Sequence, residues 1–162
     1  DYQTTLNKRK SCSLIRQSAV KKLTETTQSL NNVLSSTARL LKNEVGEKEI
    51  KYKEFFSTGK ASDITKGNPT DQLLAIDYLL KALENNSSLH SYSEYYQTVK
   101  DLKTELEKDF KKESAAQKNE DESVTLLNLE ESKYDFALKK IKHFVEDHVD
   151  AKEAARILKT NS

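Results

Sequence analysis

Residues 46–69 read GEKEIKYKEFFSTGKASDITKGNP, and this stretch holds all three glycines and the only proline of the chain. An interior glycine costs a helix roughly 1 kcal/mol relative to alanine, and a proline roughly 3. With Gly46, Gly59, Gly67 and Pro69 confined here, the rest of the sequence has no strong helix breaker. It also lacks the glycine-rich turns that hairpins and phosphate loops require. The fold class that follows is all-α: an elongated bundle of three long helices, a single helical domain over 1–162.

Outward from this stretch, the first helix is placed at about 5–56. Leu6, Leu14, Ile15, Val20, Leu23, Leu30, Val33, Leu34 and Leu41 recur at helical spacings. Thr26, Thr27, Ser35, Ser36 and Thr37 dilute that face, and Ile50, Phe55 and Phe56 extend it. Gly46 either ends the helix or sits within it. A loop follows at 57–68. Asn68 as N-cap, Pro69 at the first helical position and Asp71 in the first turn then start a helix of about 69–118. Leu73, Leu74, Ile76, Leu79, Leu80 and Leu83 form its apolar stripe, and Asn85–Ser88 either kinks or breaks it. Beyond, Tyr92, Val99 and Leu106 share one heptad position, and Tyr95 and Leu102 the other, a coiled-coil seam. These five residues are the candidate protein interface. The polar run 111–123 is either a solvated helix extension or a flexible connection. Asn128 and Glu131 resemble a capping box, which opens a third helix at about 128–160. That helix carries Tyr134, Ala137, Ile141, Phe144, Ala151, Ala155 and Leu158, with His148 in its seam.

Composition narrows the function. Charged residues are 33% and hydrophobic ones 35%, which suits helices that each bury only a stripe. The net charge of +1 supplies no global field for nucleic acid, so none is expected as a partner. Cys12 is the only cysteine, so no internal disulfide forms and a reducing, intracellular compartment is the natural reading, cytoplasmic or at a membrane periphery. No apolar run approaches the roughly 20 residues of a membrane span. The chain opens on Asp1 and contains no methionine, which reads as a piece of a longer protein.

No catalytic or cofactor chemistry is nominated. His143 and His148 are five apart, not the four that place zinc ligands on one helix face. Cys12 has basic neighbours but no nearby base to pair with. Gly59-Lys60-Ala61-Ser62 lacks the upstream glycine of a phosphate loop. Tyr92, Tyr95 and Tyr96 cluster as aromatics that stack nucleic-acid bases do, but the heptad seam accounts for two of them.

Two stretches resemble the BAR superfamily of helical dimers. Leu40-Leu41-Lys42 leading into the acidic-aromatic run 47–56 is similar to first helices of that group. Lys133-Tyr134-Asp135-Phe136-Ala137-Leu138-Lys139-Lys140 resembles a pattern of their third helix. The resemblance implies a dimer whose concave face meets anionic lipid. Lys111, Lys112, Lys139, Lys140 and Lys142 are the candidate lipid contacts, brought together if the second and third helices run antiparallel. The reading as a whole is a non-enzymatic scaffold that joins a protein partner or a second copy through its helices. A regulatory bundle of a membrane-trafficking or fusion protein is the alternative.

Overall fold

The computed structural model describes residues 1–46, 50–148 and 151–160, and all its regular structure is helical. The helices are α1 (Tyr2–Val45), α2 (Ile50–Lys53), α3 (Pro69–Asn85), α4 (His90–His148) and α5 (Ala151–Thr160), with a short 3-10 turn at Ala61–Asp63. They divide into two compact units, Ile15–Ala116 and Asp1–Leu14 with Gln117–Ser162.

The larger unit is built on three helices. Leu30, Leu34, Ala38 and Leu41 of α1 meet Ile76, Leu79, Leu80 and Leu83 of α3 and Val99 and Leu106 of α4 in one core. The punctuated stretch crosses this core. Tyr52, Phe55 and Phe56 are at most 2% exposed, and Ile64 is buried beside them. Burying each such side chain contributes roughly 1.5–3 kcal/mol. α1 and α4 run antiparallel here, because Lys22 reaches Glu105 at 3.3 Å while Glu44 reaches Ser91. α3 and α4 form a second antiparallel pair, joined by Lys103 to Asp77 at 2.5 Å and by the Tyr96 hydroxyl to Glu84.

The ends follow local chemistry. Gly46 takes φ +82° and closes α1, its amide donating to the Lys42 carbonyl. The Asn68 side chain accepts from the Asp71 amide at 2.8 Å, as the cap reading requires. Residues 86–89 break the expected 69–118 helix into α3 and α4. The larger difference lies at 119–131. The third helix expected from Asn128 is instead the continuation of α4. Glutamate and leucine make up seven of these thirteen residues, which include no glycine or proline, and good helix formers propagate a helix that is already nucleated. A capping pattern stabilises an end but does not create one. The side chains of Ile50, Ala151 and Ala155, expected on buried faces, lie outside those described.

α4 has no capping side chain of its own at Leu89, and Glu44 at the end of α1 takes that role. Its Oε1 accepts from the Ser91 amide at 2.8 Å and the Ser91 hydroxyl at 2.6 Å, and its Oε2 from the His90 amide at 2.9 Å. Burial opposes ionisation of this carboxyl, but the Ser91 and His90 donors outweigh it and hold it below the ordinary glutamate range. The folded value is below the unfolded one. The contribution is therefore complete above the unfolded value and is lost as pH falls through the folded one. Glu44→Gln is expected to cost about 1–2 kcal/mol at neutral pH, and the gap to wild type to shrink towards about pH 3. Urea denaturation at both pH values checks this. A gap independent of pH would place the effect outside the carboxylate clamp.

Candidate interaction face

The seam nominated from sequence extends much further than Tyr92–Leu106. Continuing its alternation of three and four along α4 gives Val99, Leu102, Leu106, Asp109, Glu113, Ala116, Glu120, Ser123, Leu127, Glu130, Tyr134, Ala137, Ile141, Phe144 and His148. Through Glu130 every one of these is buried or half-buried. From Tyr134 onward every one is exposed. The buried run includes five acidic residues or serines, which is why an apolar count did not reveal it.

Within the larger unit this seam packs against α1. Val99 and Leu106 are fully buried in the unit's own core, and Tyr92, Tyr95 and Leu102 are packed half-buried against it. As surface for another chain, Val99 and Leu106 are therefore already used. Heptad periodicity identifies the face that is covered; it does not distinguish a partner helix within the chain from one outside it. Tyr92 stacks on Tyr96 with ring centroids 4.7 Å apart. The hydrogen bond to Glu84 and burial push the Tyr96 phenol up to about 12. On α1, Leu14, Ile15 and Val20, expected in the apolar face, are exposed, while Thr26 and Thr37 are buried. The Thr37 hydroxyl is satisfied by the Val33 carbonyl at 2.7 Å.

In the smaller unit the first turn of α1 meets α4 where the Tyr2 hydroxyl donates to Glu131 Oε1 at 3.3 Å. Burial and the nearby Glu131 push the Tyr2 phenol up. Three residues on, the exposed part of the seam begins. Tyr134 is 62% exposed, Ile141 49% and Phe144 61%. The Phe144 ring stacks on His148 at 4.3 Å, and His148 Nδ1 lies 2.9 Å from the Phe144 carbonyl oxygen. Lys133 and Lys140 border one edge of the stripe, and the Lys140 ammonium sits 4.7 Å over the Phe136 ring. Val145 on the other edge is buried.

Lys111 and Lys112 belong to the larger unit and Lys139, Lys140 and Lys142 to the smaller. All five lie on α4, so the second and third helices expected to bring them together are one element. Lys142 is within 3.9 Å of Glu146. Cys12 is half-buried, and the described residues contain no cluster of metal-ligating side chains. No described helix is long and apolar enough to cross a membrane. No family model, curated protein or solved structure matches the chain.

Proposed function

We propose that this protein is a helical assembly module that pairs with a second copy of itself through α4 residues 134–148. The observation that carries the reading is the change at one seam position: Leu127 is 8% exposed, and Tyr134, one heptad later, 62%. A stripe of this kind, continuous with a packed interface, is complete only when another helix lies on it.

The stripe is self-complementary when two copies run antiparallel about a two-fold axis near Lys139. Tyr134 then faces the partner's Phe144, and Ala137 faces the partner's Ile141. Each layer sets a large side chain against a ring or a small one. Leu138 meets its own copy, and Lys133 meets the partner's Asp147 at both ends. Lys140 faces its counterpart across the axis, a like-charge contact that weakens the pair. A contact of four turns also falls short of the about 1,200–2,000 Å² of a stable interface. The dimer is thus reversible. A dimer, of two copies or of two different chains, is also what the BAR resemblance implies.

Sedimentation equilibrium over a wide concentration range tests this. The expected result is a mass that rises from 18.5 kDa towards twice that value. The pair Ile141→Asp and Phe144→Asp is expected to hold the protein at the monomer mass. Because both side chains are exposed, the melting free energy should change by less than about 0.5 kcal/mol. A wild-type mass constant at 18.5 kDa at all concentrations, or a dimer unaffected by the two changes, would rule the pairing out.

A further inference from the structure

A cleft of about 560 Å³ opens in the smaller unit, where the first turn of α1 meets α4. It is lined by Tyr2 of α1 and by Glu131, Tyr134 and Asp135 of α4. Spacings of three and four place the last three on one helix face. The geometry points to a binding site for a guanidinium group.

Two phenol rings and two carboxylates line this cleft, and no basic side chain does among the described residues. Both rings are exposed, so packing within the unit leaves them open to a ligand. The Tyr2 hydroxyl donates to Glu131 Oε1 at 3.3 Å, which ties that ring to the acidic face and uses one oxygen of the carboxylate. Asp135 has no hydrogen bond or ion pair among the described residues. Glu131 and Asp135 are like charges one turn apart, a pairing that costs a helix stability. The neighbouring Lys133 does not offset it, being turned to Glu130 at 4.0 Å. A cation held between the two carboxylates would.

The mixture of rings and acids decides which cation fits. A calcium or magnesium ion takes about six or more oxygen ligands at short range, and two carboxylates in a cleft this wide do not supply them. The volume suits an organic group instead. An ammonium is a compact, strongly hydrated charge and keeps its water in an open cleft. A guanidinium is planar and weakly hydrated. It stacks on a tyrosine face while its N–H groups donate to carboxylates in its own plane. The arginine side chain of a protein segment and a free guanidinium compound share this chemistry.

Methylguanidinium and a blocked arginine tripeptide, each titrated into the isotope-labelled full chain, test the site. Methylammonium and the matching lysine tripeptide are the controls. NMR reads the Tyr2 and Tyr134 rings and the Glu131 and Asp135 amides. Saturable shifts are expected at these residues, weaker at higher salt, with guanidinium probes at least about threefold tighter than their ammonium counterparts. Glu131→Gln and Asp135→Asn together should weaken binding at least about fivefold, and Tyr134→Leu about two- to fivefold. All three side chains are exposed, so melting should not change. A response to the tripeptide alone assigns the cleft to a protein arginine, to methylguanidinium alone to a diffusible compound, and to both to the guanidinium group from either source; each supports the proposal. It is overturned if neither guanidinium probe shifts these residues, if the ammonium probes bind as tightly, or if binding survives the substitutions. Tyr134 also begins the stripe 134–148, so the titrations are run where sedimentation gives the mass of one chain. Their outcome then bears on the cleft and not on self-pairing.

Discussion

Leu106→Asp is expected to abolish cooperative folding of the unit spanning residues 15–116. Leu106 is fully buried where α4 meets the core of α1 and α3. Removing its apolar contacts costs about 2–5 kcal/mol. An unpaired carboxylate in the same place costs several more. The sum reaches the about 5–15 kcal/mol that holds a typical domain together. Leu74→Asp is the matched control, because Leu74 is 62% exposed on α3. Its effect should stay within about 0.5 kcal/mol. Circular dichroism during thermal and urea denaturation reads both. A Leu106→Asp protein that melts like wild type would remove the seam from the core.

The contrast between Leu74 and Leu106 marks what the sequence conveys. Both leucines belong to periodic apolar patterns, yet only packing decides which is covered. The concentration of Gly46, Gly59, Gly67 and Pro69 correctly located the irregular segment, because each acts through its own backbone. The Asn68–Pro69–Asp71 start was legible for the same reason. The length of α4 was not. Five of its seven middle seam positions are Asp109, Glu113, Glu120, Ser123 and Glu130, and a mostly polar seam has no hydrophobic period to find. The Glu44 clamp was hidden too, since a cap supplied from another helix leaves no local signature at Leu89.

The polar layer in the α1–α4 seam leads to the second large effect. The Thr26 hydroxyl donates to Asp109 Oδ2, and both residues are at most 4% exposed. Asp109 Oδ1 is buried with no hydrogen-bond partner among the described residues. Among the described residues Thr26 is thus the one side-chain hydrogen-bond donor to a carboxyl group in a heptad core position. Thr26→Val keeps the shape and removes that donor, so a cost of about 2–4 kcal/mol is expected. Asp109→Leu keeps the branching and leaves only the Thr26 hydroxyl. That hydroxyl can turn back to the carbonyl four residues earlier, as those of Thr24 and Thr37 do. The cost of Asp109→Leu is therefore small. Making both changes replaces the whole polar pair by apolar groups, and the protein should match or exceed wild-type stability, by up to about 4 kcal/mol. The expected order is the double variant, then wild type and Asp109→Leu close together, then Thr26→Val well below. A double variant less stable than wild type would mean that the pair contributes net stability. The order expected here instead assigns it to register: a buried polar layer fixes which residues of α1 and α4 face each other, at a cost in stability.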